Sequence, residues 1–184
     1  DRQRVGWPDY HGAGLAFIGH LLSPRFSRVL IPATNTYANL VPLGSHPLLD
    51  PWWSSERVEF VHDGAHANRT EKLKAIAGHQ AARQHLRVCW QNLEGRYNCG
   101  KCEKCIRTAV GALVAGVDQA FESLPTSDPR QVAAVRRKGT GVAWMELRDG
   151  LRRHPDLRPW RLAIEWVLLR ERLTRAPLVG RWLR

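Results

Sequence analysis

Cys89-Trp90-Gln91-Asn92-Leu93-Glu94-Gly95-Arg96-Tyr97-Asn98-Cys99-Gly100-Lys101-Cys102-Glu103-Lys104-Cys105 holds every cysteine of the chain. The spacing is Cys-x9-Cys-x2-Cys-x2-Cys. Zinc takes four thiolates at about 2.3 Å in a tetrahedron, and x2 spacings let one tight turn aim two sulfurs at a common point. Gly100 falls where such a turn calls for a positive φ or an unobstructed backbone. Lys101, Lys104 and Arg107 bring positive charge that would moderate a zinc tetrathiolate. Two disulfides would require an oxidising compartment, and the N-terminus Asp1-Arg2-Gln3-Arg4-Val5 does not read as a secretory signal. An iron–sulfur cluster also takes four cysteines and is compatible with x2 spacing. The reading favoured is a structural zinc on Cys89, Cys99, Cys102 and Cys105, with no position left open for water.

Outward from the cysteines, the flanking segments read as an α/β domain. Ile106-Arg107-Thr108-Ala109-Val110 opens an apolar helix on the C-terminal side. Upstream, residues 11–22 read as a helix of small and apolar residues, suited to packing on a sheet. Arg28-Val29-Leu30-Ile31 reads as a short buried strand ended by Pro32, and Val58-Glu59-Phe60-Val61 as a second. Residues 33–57 form a long loop rich in Asn, Pro, Gly and Ser, and loops of that length in compact domains are usually functional. Asn68 and Glu71 have capping-box spacing for a helix from about Arg69 to Ala77, with Gly78 as its stop. Leu86-Arg87-Val88 reads as a third extended piece. The alternation implies a parallel sheet.

The pattern Cys-x9-CGKCEKCIRT resembles the C-terminal end of 7-cyano-7-deazaguanine synthase-like members of the PP-loop ATP pyrophosphatase (adenine nucleotide alpha hydrolase-like) superfamily. The likeness extends more weakly over residues 11–110. It implies a structural zinc on the four cysteines and a parallel-sheet PP-loop (HUP-type) fold with a four-cysteine zinc loop and a C-terminal helical extension. The family's Ser-Gly-Gly-x-Asp-Ser phosphate loop is absent from this sequence. Where the family has Thr-Lys-x-Glu, this chain has Thr70-Glu71-Lys72-Leu73-Lys74, and Pro32-Ala33-Thr34-Asn35-Thr36-Tyr37 replaces a Gly-rich loop with an Asp. The expectation is therefore the C-terminal half of a longer cytoplasmic enzyme, inactive by itself. Residues 1–124 would be part of the PP-loop-like domain with zinc loop 89–105, and 125–184 a basic helical extension. The implied reaction is adenylation of a carboxylate or carbonyl by ATP with Mg, followed by attack of an amine. The implied partners are a small-molecule substrate and the N-terminal half of the same protein.

Candidate site residues follow from the sheet. Ligands of open parallel sheets lie beyond the carboxyl ends of the strands. Those ends carry Thr34, Asn35 and Thr36 after the first strand and His62 and Asp63 after the second, although such residues also serve ordinary turns. Lys72, in the first turn of a helix, is placed to hold a nucleotide phosphate, as the matching family residue is thought to do. His46 and His66 are weaker candidates for general acid or base.

The 184 residues carry a net charge of +11, and residues 125–184 account for +8 of it. Such a tail either attracts RNA or forms an Arg-rich solvated face. No apolar run approaches the roughly 18 residues that span a bilayer. Asp128-Pro129 marks a helix start, and Gly139 and Gly141 break the pattern. Helices are expected at 129–138, 142–153 and 159–174. Leu162, Trp166 and Leu169 recur at i, i+4, i+7, so they and Trp160 are expected to be at least partly buried. The alternative is a zinc-stabilised RNA-binding module with Trp144, Trp160, Trp166 and Trp182 exposed among arginines. A degenerate enzyme kept for assembly is a third possibility.

Overall fold

The computed structural model describes residues 5–136 and 141–175, the side chain of Arg175 excepted, in two compact units that divide between Asn68 and Arg69.

In the first unit, α1 (Trp7–Leu21) precedes β1 (Arg28–Pro32), and a long connection leads to β2 (Glu59–Asp63). The two strands pair in parallel, Arg28 opposite Glu59 and Pro32 opposite Asp63. Apolar residues in this short pair meet a helix through Ala16, Ile31, Val58 and Phe60, which form the unit's core. Gly19 permits the approach: a Cβ there would lie 2.5 Å from Phe60 Cζ. The connection is not featureless, since Tyr37–Asn39 and Asp50–Trp53 each form a 3-10 turn.

The second unit is helical. It contains α2 (Arg69–Ile76), α3 (Gln80–His85), α4 (Glu103–Ala115), α5 (Pro129–Ala134), α6 (Val142–Leu151) and α7 (Arg158–Arg175). Leu73 of α2 and Ala109 and Ala112 of α4 bury against Phe121 and Leu124. On the other side of α4, Ile106 and Val110 share a core with Val132, Trp144, Leu147, Leu151 and Ile164. The described part of the basic extension is therefore packed on the helix that follows the cysteines.

Two sequence expectations change here. Leu86-Arg87-Val88 is not a strand: among the described residues the sheet has only β1 and β2. Its backbone groups are taken by a side chain instead, as the site geometry shows. On α7, Leu162, Trp166 and Leu169 are 48–50% exposed, while Ala163, Ile164 and Val167 are buried. The helix is apolar on two opposite faces, and the one with Ala163 and Ile164 shares a core with Val132 of α5 and Trp144 of α6. Periodicity finds a stripe but does not say which of two stripes faces inward.

The helix starting at Pro129 has the expected cap. The Asp128 carboxylate accepts from Arg130 N at 2.7 Å and Gln131 N at 2.9 Å, and the Gln131 side chain returns the bond to Asp128 N. It ends at Ala134 because Val135 is extended and Arg170 of α7 donates to the carbonyls of Ala133 and Val135. Of the residues expected to extend it, Arg137 and Lys138 lie outside the described residues. No described helix is long and apolar enough to cross a membrane.

Candidate metal centre

The four sulfurs lie within 4.8 Å of one another, and all four cysteines are buried. Cys99 and Cys105 are separated by 3.9 Å, Cys89 and Cys102 by 3.8 Å, and Cys102 and Cys105 by 3.4 Å. Sulfurs about 2.3 Å from the centre of a tetrahedron stand about 3.8 Å apart. Disulfide sulfurs would be at about 2.05 Å, and all four cysteines are free. The donor set fits a thiophilic ion, and these four residues could hold a metal such as zinc.

Local sequence explains how the ligands converge. Gly100 adopts φ +70°, and its position would place a Cβ 3.2 Å from Pro125. The turn it makes allows Cys102 N to donate to Cys99 Sγ at 3.3 Å. Cys102 is the N-cap of α4, so Cys105 sits in that helix's first turn and the ring of ligands is anchored on a regular element. Cys89 comes from the opposite side and is fixed by Asn98. The Asn98 side-chain oxygen accepts from Val88 N at 3.0 Å and Cys89 N at 3.1 Å. Its amide donates to the carbonyls of Leu86 and Ser123, both at 2.8 Å. These bonds occupy the groups that a β-ladder would have used. Asn98 was not among the candidates, and its position beside Cys99 in a loop gave no signal separating it from a turn former.

Electrostatics differ among the thiols. Burial would raise Cys89, but hydrogen bonds from the backbone of Cys99, Asn92 and Gln91 and from the Cys99 side chain bring it down to about 6. Burial raises Cys102 against hydrogen bonds from the backbone and side chain of Cys105, with Cys99 and Cys89 adding to the rise. Burial raises Cys105 against the Gly100 backbone, with Cys102 and Cys99 adding to the rise. Of the cations near the loop, Lys101 pairs with Glu94 at 2.6 Å, Lys104 lies 5.7 Å from the Trp90 ring centroid, and Arg107 faces Glu103 at 3.8 Å. Burial lowers the Arg107 guanidinium, with Glu103 opposing.

The remaining candidates fall in both units. In the first, the parallel register sets the two strand ends side by side: Ala33 N donates to Asp63 O at 2.7 Å and Tyr37 N to Ala65 O at 2.9 Å. Thr34, Asn35 and Thr36 therefore neighbour the end of β2. His62 and Asp63 lie within that strand, not after it as expected, because pairing with β1 continues to Pro32 opposite Asp63. His62 is tied inward, its Nδ1 2.6 Å from Asp50 Oδ2. Asp50 is fully buried and also accepts from Ser45 Oγ at 2.8 Å and His46 N at 3.2 Å. Sequence reading missed Asp50 and Ser45, because nothing in a long polar loop distinguishes a carboxylate that will be buried. His46 Nδ1 accepts from Leu48 N at 3.1 Å, a local turn contact, and His66 is exposed. Lys72 lies in α2 of the second unit and lines a cavity of about 200 Å³ together with Arg69, Thr70, Arg107 and Glu146.

Of the tail tryptophans, Trp144 is fully buried and donates to Glu103 at 2.9 Å. Trp160 donates to Ser127 O at 3.3 Å, Trp166 is half exposed, and Trp182 lies outside the described residues. What fold and site define is a mixed α/β chain with a two-stranded parallel sheet and a four-cysteine cluster able to hold a metal. Compared with known proteins, the chain matches no family model, no curated protein and no solved structure.

Proposed function

We propose that the four cysteines hold a structural zinc ion, and that the chain is the C-terminal part of an ATP-dependent, PP-loop synthase of the 7-cyano-7-deazaguanine synthase-like kind. When bound, the zinc supplies a cross-link between loop and helix and no open coordination position. The observation that carries the enzymatic reading is the parallel register of β1 and β2. It sets the loop containing Thr34, Asn35 and Thr36 beside Asp63 at the end of β2, and open α/β sheets bind ligands at such strand ends.

In the reaction proposed, a substrate carboxylate oxygen attacks the α-phosphorus of ATP and the bond to pyrophosphate breaks. An amine nitrogen then attacks the acyl carbon, AMP departs with the C–O electrons, and the nitrogen loses a proton to solvent. Thr34, Asn35 and Thr36 supply donors and acceptors for the substrate. The buried Asp50 carboxylate holds the His62 ring in place through Nδ1 and so fixes the end of β2 beside this loop. The family's phosphate loop would come from sequence N-terminal to this segment.

ATP–pyrophosphate exchange tests the reading. The chain by itself should bind Mg-ATP weakly and give no exchange, whereas protein extended by its upstream coding sequence should exchange. Tight, magnesium-dependent ATP binding by the 184-residue chain would contradict the division of labour.

A further inference from the structure

Between the cysteine loop and the end of α5 lies an open cleft of about 510 Å³. Lys101, Lys104, Arg107 and Arg136 line it, against one acid, Glu103. That acid is already engaged, accepting Trp144 Nε1–H at 2.9 Å and facing Arg107 at 3.8 Å. Lys101 is paired to Glu94, but both side chains are more than half exposed, and such surface pairs exchange readily with other ions. The Arg107 Nε–H is buried without an acceptor in the protein. The cleft thus keeps a net positive charge and spare donors. In the sequence, Arg137 and Lys138 follow Arg136 directly and extend the basic run.

The second observation is Trp90. It lines the same cleft and is 66% exposed, with Lys104 stationed over its ring. The indole face is accessible within a cleft lined by four cations. An acidic peptide would satisfy the cations and leave the indole face unused. A duplex would present phosphates but keep its bases stacked on one another. Unpaired bases on a phosphate backbone meet both halves of the cleft, because every base has a face to stack and every linkage carries one negative charge.

We propose that this cleft binds single-stranded nucleic acid, with one base stacked on Trp90 and the backbone phosphates held by Lys101, Lys104 and Arg136. The surface differs from the tail tryptophans, one of which is buried, and it stands apart from the ATP-dependent reading. The two can fail separately, since binding here involves no ATP.

Fluorescence anisotropy of a labelled twelve-nucleotide oligouridylate, titrated with metal-containing full chain between about 50 and 200 mM salt, tests it. Affinity should fall with salt, with a log–log slope of about −2 to −3 for three or four phosphates. Trp90→Ala should weaken binding about tenfold or more at unchanged metal content and circular dichroism, and Trp90→Phe should restore most of the loss. Arg136→Ala should weaken binding and make the slope shallower by about 0.7. Affinity indifferent to Trp90→Ala would overturn the proposal, because general attraction to the basic tail would then suffice. So would absence of binding at low salt, or equal competition by a duplex, by polyglutamate or by uridine monophosphate.

Discussion

The Asn98 side chain holds the backbone of Cys89 in place, its oxygen 3.1 Å from the Cys89 amide and 3.0 Å from that of Val88. One buried carboxamide thereby sets the direction from which the most distant ligand enters the cluster. Asn98→Ala leaves the Val88 and Cys89 amides and the Ser123 carbonyl without these partners, while the Leu86 carbonyl keeps Ser123 Oγ. A buried group left unpaired costs about 1–3 kcal/mol. A loss of about 3 kcal/mol is expected in denaturant unfolding, together with weaker metal retention against a chromophoric chelator. Unchanged retention would mean that Cys89 finds its place without Asn98.

Proton release on metal binding follows from the thiols. Metal binding requires thiolates. At pH 7 the Cys89 thiol, at about 6 in the metal-free protein, is already mostly ionised and gives up little. Cys102 and Cys105, both raised, are protonated there and must each release a proton. Affinity therefore rises with pH through neutrality, and below about pH 6, where Cys89 also becomes protonated, it falls more steeply. Calorimetric titration at pH 7 in buffers of different ionisation enthalpy should report about two protons or more released per metal.

Asp50 anchors the first unit. Its carboxylate, wholly buried, joins Ser45, the His46 amide and the His62 ring. Asp50→Ala removes the acceptor for all three and should cost about 3 kcal/mol, since each buried group left unpaired costs about 1–3 kcal/mol. Adding His62→Gln should cost less in that background than in the parent, because the partner is already gone. Additive losses in urea unfolding would show that the pair is not coupled.

The orientation of α7 is open to a direct comparison. Ile164 is fully buried and Trp166 half exposed. Ile164→Ala should destabilise by about 2–5 kcal/mol, and Trp166→Ser by about 0.5 kcal/mol or less. Reversed magnitudes would mean that the face carrying Leu162, Trp166 and Leu169 is the one in the core.

Much of this was legible in the sequence, for identifiable reasons. The cysteine cluster could be read because metal geometry admits few spacings, and Gly100 because its φ of +70° is a glycine conformation. The Asp128 cap and the strands at Val29 and Phe60 could be read because local rules govern them. Asn98, Asp50 and the working face of α7 could not. Each depends on partners distant in sequence: Leu86 and Ser123 for Asn98, His62 for Asp50, and Trp144 and Val132 for α7. A third strand was expected at Leu86-Arg87-Val88 because an apolar–polar alternation looks the same whether a strand or an asparagine will satisfy its backbone.

The central proposal is that Cys89, Cys99, Cys102 and Cys105, whose sulfurs lie close enough to hold a metal, form one four-thiolate zinc site. Elemental analysis and zinc-edge X-ray absorption of protein purified without added metal test it together. The expected result is one zinc per chain in a shell of four sulfurs at about 2.3 Å. Stoichiometric iron with absorbance in the visible range, a shell containing nitrogen or oxygen, or metal content unaffected by Cys→Ser changes at these positions would contradict it.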